Sequence, residues 1–275
     1  MSLFDAFRFD DKRALVVGGA SGMGAATAEL VQDAGAEVVV MDYAEMSLPG
    51  ATSIHVNLAE RESIDAALEQ CTGPIDALFS CAGVADGTPG IERINFIGHR
   101  HLIDRLIERD QLGRGSAIGF ISSAAGLGWE ANLPRIKEYL ATPDFDAAVA
   151  WIEQNGGADY LSTKQAVCAY VATQALPMMK RGIRINAICP GPTDTPLAQA
   201  NKETWLGFGA DYRAEAGVEA STPMEQAYPL VFLCSQAAQA ISGITMVTDS
   251  GYFASGVTET FPDATPIANF LLGRF

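Results

Sequence analysis

The chain has 275 residues, 48% of them hydrophobic and 8% aromatic, enough apolar material to bury a sizeable core. Its formal net charge of −15 at pH 7 disfavours nucleic acid and anionic membrane surfaces as partners, because both reward clustered Lys and Arg. Cys71, Cys81, Cys168, Cys189 and Cys234 form no CxxC pair, and His55, His99 and His101 show no metal-ligand spacing. No metal site is therefore expected, and the thiols read as small buried hydrophobes of a reducing cytoplasm.

Met1 to Asp10 is acidic and aromatic, with no basic region ahead of an apolar stretch. No segment reaches roughly 18 uninterrupted apolar residues, so neither export nor membrane spanning is expected. The first strong signal is the apolar run Ala14, Leu15, Val16 and Val17, which reads as a buried parallel strand. It leads through Gly18-Gly19-Ala20-Ser21-Gly22-Met23-Gly24 into Ala25, Ala26, Ala28, Leu30 and Val31 at helical spacing. A strand that turns through glycines into a helix lets the backbone approach a pyrophosphate, and it points the helix's unpaired N–H groups at it. Close packing of a helix on a sheet also draws such residues, so the run alone is a weak signal.

The second strand, Glu37 to Met41, ends in Asp42, about 20 residues beyond the turn, where a dinucleotide fold places an acid on the adenosine ribose hydroxyls. That carboxylate would repel a 2′-phosphate, and the turn carries no Lys or Arg to attract one, which argues for NAD over NADP. A short strand over Ser53 to Val56, a helix over about Glu60 to Cys71 and a strand over Ala77 to Ser80 follow. Strands and helices alternating at this length imply parallel βαβ units with right-handed crossovers.

A helical stretch over about Ile91 to Arg109 contains Asn95, by itself an ordinary tolerated polar position. His99 and His101, two apart, fall on different faces. The fifth strand, Ser116 to Ile121, ends in Ser122-Ser123-Ala124-Ala125-Gly126, and a hydroxyl at the carboxyl end of a central strand lies where ligands bind in such sheets. In Tyr160-Leu161-Ser162-Thr163-Lys164 the phenol and the ammonium stand four apart on one helix face and reach one small volume. A nearby Lys⁺ favours the phenolate of a group whose ordinary pKa is about 10.

In combination these residues resemble the short-chain dehydrogenase/reductase family, over about Lys12 to Gly256. Val17 stands where that family has threonine before the first glycine, and Ser80-Cys81-Ala82-Gly83 replaces its Asn-Asn-Ala-Gly. The resemblance implies a single-domain α/β doubly wound parallel sheet, a Rossmann fold. It implies Tyr160 as acid/base, Lys164 as the ribose-binding cation that lowers the tyrosine pKa, Ser123 as the hydroxyl that polarises the carbonyl, and Asn95 as holder of a relay water. It places the cofactor on Gly18, Ser21, Gly22, Met23, Gly24, Asp42, Asn57, Leu58, Cys81, Ala82 and Gly83. After the sixth strand, Arg184 to Cys189, it adds Pro190, Gly191, Thr193 and Thr195, with Thr195 at the nicotinamide carboxamide.

The departure from the family is the 36 residues between Ser123 and Tyr160, far more than most members carry. Thr142-Pro143-Asp144 supplies a cap and a first-turn proline for an inserted amphipathic helix with Phe145, Val149 and Ile152 on one face and Gly156-Gly157 as its stop. The insert, about residues 130–157, is either a surface ornament or a cover for the substrate or subunit contact. With Gly126-Leu127-Gly128-Trp129-Glu130 it is similar to a subgroup of 3α-hydroxysteroid dehydrogenase/carbonyl reductases and coniferyl-alcohol dehydrogenases. Placed beside the Tyr160 helix it would crowd that face, so a homodimer through the last helix and strand is expected, with a homotetramer as the alternative.

Pro196 to Gly217 carries Leu197, Trp205, Leu206, Phe208 and Tyr212 and reads as a lid or as a packed subdomain. Thr222-Pro223 opens a last helix, Ile244 to Val247 is the last strand, and the tail Val257 to Phe275 seals the pocket or crosses a subunit interface. The expected activity is hydride transfer between NAD and an apolar secondary, aryl or allylic alcohol and its carbonyl. The apolar residues Leu127, Trp129, Trp205, Phe208 and Tyr212 point to such a substrate. A dinucleotide-binding regulator without turnover is the alternative, although it would predict damage at Ser123, Tyr160 or Lys164. An epimerase or dehydratase would favour a differently spaced glycine turn and an additional substrate domain.

Overall fold

The computed structural model describes residues 2–274. Met1 and Phe275, the outer ends of the acidic N-terminal stretch and of the tail, lie outside the described residues. Seven parallel strands form one sheet in the order β3-β2-β1-β4-β5-β6-β7. They are β1 (Arg13–Val17), β2 (Glu37–Asp42), β3 (Thr52–His55), β4 (Ala77–Ser80), β5 (Ala117–Ile121), β6 (Arg184–Pro190) and β7 (Thr245–Thr248). The chain moves outward from β1 to β2 and β3, then returns to place β4 on the other side of β1. That reversal opens a crevice at the carboxyl ends of β1 and β4, where doubly wound sheets bind ligands.

Alternation along each strand divides the core in two. Leu15 and Val17 join Val39, Met41, Leu78, Phe96 and Leu102 on one face. Ala14 and Val16 join Val38, Val40, Ala77, Phe79, Leu230 and Leu233 on the other. The first face is covered by α2 (Arg61–Gln70), α3 (Gly98–Glu108) and α6 (Tyr160–Arg181); the second is covered by α1 (Gly22–Asp33) and α10 (Pro223–Cys234). Because both faces are covered, β1 is wholly buried from Ala14 to Val17, and its continuous apolar run follows from that.

Two local readings of the sequence are corrected. The stretch carrying Asn95 is not one regular α-helix: Arg93–Ile97 is a π turn, and α3 starts only at Gly98. The insert holds two helices rather than one, α4 (Leu133–Leu140) and α5 (Phe145–Asn155), after a 3₁₀ segment over Ala124–Glu130. The cap of α5 is Asp144, whose carboxylate accepts from Ala147 N at 2.9 Å, so Pro143 precedes the helix. Thr142 instead donates to Tyr139 O and accepts from Arg100 Nη1. It is α4 that lies along α6, while α5 packs on α4 and on the π turn. The Tyr139 ring stacks on Trp151 at 5.1 Å and meets Phe96 at 5.5 Å, which ties the insert to the core.

The remaining helices are short. α7 (Pro196–Ala200), α8 (Lys202–Trp205) and α9 (Ala210–Ala216) follow β6, and α11 (Tyr252–Val257) and α12 (Thr265–Leu271) follow β7. Thr222 and Glu225 form a capping box at the start of α10, with Pro223 in its first turn. No helix among the described residues is long and apolar enough to cross a membrane.

Candidate active site

The crevice is a groove of about 450 Å³ floored by the β1–α1 turn. It is lined by Gly18, Ser21, Gly22, Met23, Gly24, Asp42, Asn57, Leu58, Cys81, Ala82, Gly83 and Thr195. At Gly24 a Cβ would collide with the Gly18 carbonyl, so glycine there lets the turn fold back on the first turn of α1. Ser21 occupies the cap position of α1 in extended conformation, and its side chain makes no cap bond. The first N–H groups of α1 therefore open onto the groove at the positive end of the helix dipole, a cradle for an anion.

Asp42 ends β2 over the same groove. Its carboxylate is held in place by two backbone donors, Ala20 N to Oδ2 and Ala44 N to Oδ1, both at 2.9 Å. Asn57 turns its own loop: Oδ1 accepts from Ala59 N and Nδ2 donates to Glu60 Oε1. Cys81 N and Ala82 N both donate to Val17 O, binding the end of β4 to β1. His99 Nε2 meets Ala82 O at 3.0 Å, and burial pushes its imidazole down to about 4, so it sits in the core as a neutral ring. His101 faces the other way, onto Asp65. No group of His, Cys, Asp and Glu among the described residues is arranged to hold a metal ion.

A second cavity, about 260 Å³ and mostly apolar, adjoins the groove through Met23 and Thr195, which line both. Ser123 and Tyr160 line its inner end together with Pro190, Gly191 and Thr193. Ser123 leaves β5 and opens the 3₁₀ segment, where its Oγ accepts from Ala125 N. Tyr160 is the first residue of α6, whose cap Asp159 accepts from Ser162 N at 2.7 Å. One turn later Lys164 is 4% exposed, its Nζ 5.5 Å from the Tyr160 ring centre and donating to Ile121 O at 3.1 Å. A Cβ at Gly83 would stand 3.4 Å from that ammonium and from Asn95 Oδ1. Asn95 is buried; its amide accepts from Val84 N at 2.8 Å and donates to Val84 O, so the side chain is clamped to the loop after β4. Asn95 stands within the π turn Arg93–Ile97, a local departure from the regular helix of the kind that recurs at functional sites.

The electrostatics differ from the sequence expectation. Burial pushes the Tyr160 phenol up from its ordinary value, against the smaller opposing pull of the Ser123 hydroxyl. Burial also pushes the Lys164 ammonium down, to about 8. Burial thus outweighs the groups that would favour the phenolate.

Asp86 and Leu271 gave no signal in the sequence, whereas Trp205 and Phe208 line the cavity as expected. Ser122 Oγ donates to Lys164 O and touches Cys168 Sγ at 3.2 Å, pinning α6 to β5. Asp86 accepts from Tyr160 N at 3.0 Å. Trp205 stands 5.2 Å from the Tyr160 ring, and Leu271 from α12 joins it and Phe208 in the outer wall. Leu127, Trp129 and Tyr212, expected near the substrate, are not among the lining residues. Tyr212 instead packs against Tyr252 and Phe261 and donates to Ser250 O.

Comparison with known proteins agrees with this geometry. A family model described as short chain dehydrogenase matches residues 12–133, and one described as enoyl-(acyl carrier protein) reductase matches residues 140–253. A coniferyl-alcohol dehydrogenase of Pseudomonas sp. is 32% identical over 88% of this chain and 96% of its own. The chain belongs to the short-chain dehydrogenase/reductase family. This dehydrogenase/reductase is also 28% identical to a 3-alpha-hydroxysteroid dehydrogenase/carbonyl reductase of Comamonas testosteroni, over 86% of this chain and 95% of the relative. Among solved structures, a 3-alpha-hydroxysteroid dehydrogenase from Pseudomonas sp. B-0831 complexed with NADH superposes with a TM-score of 0.71 at 28% identity, covering 91% of this chain and 99% of that one. The chain is thus an oxidoreductase of that family with a Rossmann-like sheet.

Proposed function

We propose that this oxidoreductase transfers hydride between NAD and an apolar secondary, aryl or allylic alcohol and its carbonyl, with Ser123, Tyr160, Lys164 and Asn95 as its catalytic residues. The observation that carries the reading is the meeting of Ser123 and Tyr160 at the inner end of an apolar cavity that opens from the nucleotide groove. The names of the coniferyl-alcohol and hydroxysteroid relatives support the substrate class.

The residues present fit a dinucleotide. The uncapped N-terminus of α1 and Gly18, Ser21, Gly22, Met23 and Gly24 would hold its pyrophosphate, and Asp42 its adenosine ribose. Asn57, Leu58, Cys81, Ala82 and Gly83 would line the adenine side, with Lys164 on the second ribose and Pro190, Gly191, Thr193 and Thr195 at the nicotinamide. When bound, NAD supplies the hydride acceptor in oxidation and the donor in reduction. In oxidation the Tyr160 phenolate takes the hydroxyl proton as hydride leaves the same carbon. The Ser123 hydroxyl donates to the oxygen that gains charge, Lys164 stabilises the phenolate, and Asn95 holds the water through which the proton leaves. No step calls for a metal. Trp205 and Phe208, in the segment 196–217, cover the cavity as a lid that keeps water from the reacting carbon.

The test is turnover of a small panel of steroid, aryl-allylic and monoterpene alcohols with NAD and, separately, NADP. NAD is expected to win by roughly 10²-fold in kcat/KM, because the fixed Asp42 carboxylate repels a 2′-phosphate at a cost of about 3 kcal/mol. Equal use of NADP would overturn the cofactor assignment, and tight NAD binding without turnover of any alcohol would favour a regulator.

The protomer is proposed to pair as a homodimer through β7 and α10. β7 is the sheet edge, with its own Val247 36% exposed and Tyr228 on α10 58% exposed. Light scattering at twice the mass of one chain is the expected result, and a tetramer paired along α6 would refute it. Five cysteines without a disulfide suit a reducing, cytoplasmic location.

A further inference from the structure

The outer wall of the apolar cavity includes a residue from the far end of the chain. Leu271 is the last residue of α12, and it lines the cavity together with Ser123, Tyr160, Trp205 and Phe208. The helix that carries it is anchored rather than loose. Ala264 and Ala268 are buried, and Thr265 Oγ1 donates to Gly256 O at 3.0 Å, which fixes the start of α12 on α11. The far end is fixed on the segment that presents Ser123. A Cβ at Gly128 would collide with the Leu271 carbonyl oxygen, so the absence of a side chain at Gly128 is what lets α12 close against the 3₁₀ segment.

We propose that Leu271 is a specificity-determining residue that sets how far a ring system can extend from the reacting carbon, with Gly128 as its positioning residue. The proposal rests on the alcohol dehydrogenase reading above. The reasoning is geometric. The inner end of the cavity is closed by Ser123, just past the end of β5, and by Pro190 to Thr193, at and just past the end of β6, which are set by the fold. Length along the cavity is therefore decided at the outer wall, where a leucine side chain stands at the end of α12, a helix that packs on α11 and on the 3₁₀ segment. A compact single-ring alcohol ends inside that wall; a fused-ring alcohol must pass it. Shortening Leu271 lengthens the cavity, and enlarging it shortens the cavity. The group removed or added is a few carbons, and one methylene in an apolar pocket discriminates by about 10- to 200-fold.

The test measures kcat/KM for a four-ring sterol alcohol relative to cyclohexanol in the wild type, Leu271→Ala and Leu271→Trp. The ratio is expected to rise about tenfold in Leu271→Ala and to fall about tenfold in Leu271→Trp. Gly128→Val, which forces the Leu271 carbonyl away, should move the ratio in the same direction as Leu271→Ala. NADH binding, followed by its fluorescence, serves as the control for folding in all three variants. A ratio within about twofold of wild type in both Leu271 variants overturns the proposal. Failure of the activity reading is seen separately: the wild type would then turn over neither alcohol. In that event, binding of the two alcohols is read by quenching of tryptophan fluorescence, Trp205 being in the wall. Opposite affinity shifts in the two Leu271 variants would keep the proposal, and unchanged affinities would end it.

Discussion

Replacing Tyr160 by phenylalanine is expected to lower kcat/KM for alcohol oxidation by about 10²- to 10⁴-fold, the range that one positioned general base contributes, while NADH binding stays within about twofold. The substitution removes the oxygen and nothing else that packs, so the Trp205 and Lys164 contacts to the ring survive. The pH profile carries the finer part of the test. Burial holds the phenol above its ordinary value and the Ser123 hydroxyl pulls it down. Only the phenolate accepts the proton, so oxidation should rise with pH as Tyr160 deprotonates. Ser123→Ala should displace that rise further toward alkali, because the one hydrogen bond that favours the phenolate is gone. A charge on the oxidised cofactor acts in the opposite sense. Measured with saturating NAD, the rise should come at lower pH than the free protein's phenol would give. Wild-type kcat/KM in Tyr160→Phe would remove this tyrosine from the mechanism.

Arg184→Met is expected to destabilise the fold by about 3–5 kcal/mol, the cost of stranding several buried acceptors at once. Arg184 begins β6 and is 8% exposed, with no carboxylate paired to it among the described residues. Its guanidinium donates to four carbonyls: Leu233 and Ala238 through Nη1 at 2.5 and 3.1 Å, and Cys234 and Ser235 through Nη2 at 3.2 and 2.8 Å. Leu233, Cys234 and Ser235 offer the orphan acceptors at the end of α10, at the negative end of the helix dipole, and Ala238 belongs to the turn that follows, where it also accepts from Ile241 N. One cation therefore caps α10 and locks it to the strand that delivers Pro190 to Thr195 to the site. Burial lowers the Arg184 pKa from its ordinary value, and the four carbonyls offset that cost. Methionine fills the stem but removes the guanidinium donors from the carbonyls at the end of α10, while Ala238 O keeps Ile241 N. Lysine restores the charge without the planar fork and should recover only part of the loss. Urea denaturation measures both variants; a change below about 1 kcal/mol in Arg184→Met would show that water replaces the guanidinium freely.

The features legible in the sequence are those whose physics is local. A continuous apolar run before Gly18 states a strand buried on both faces, and the glycines after it state a turn that a Cβ would block, as the Gly24 position shows. Asp42 follows from strand length, and the Tyr160–Lys164 pair from the helical repeat, so the groove and the inner end of the cavity are legible in the residues alone. The cap of α10 was equally readable, because Thr222, Pro223 and Glu225 form a self-contained box.

What the sequence left open depends on groups far apart along the chain. Thr142 reads as the cap of the inserted helix, yet its hydroxyl accepts from Arg100 and the cap of α5 is Asp144. Asn95 reads as an ordinary helical asparagine, yet it stands in a π turn and accepts from Val84 N. Trp129 and Trp205 were equally plausible at the substrate, and only the course of the chain after β6 brings Trp205 onto Tyr160. Arg184 reads as a strand-edge charge, yet it caps a helix some fifty residues later. Leu271 has no local pattern at all; it reaches the cavity because Gly128 leaves room for its carbonyl. The sequence by itself determined the alternating frame, the nucleotide turn and the Tyr160–Lys164 pair, since each depends on periodicity or on a single turn's sterics. Tertiary structure alone decided the depth and outer wall of the cavity, the state of Tyr160 and the cap on α10, because burial and long-range hydrogen bonds exist only once distant segments are packed together.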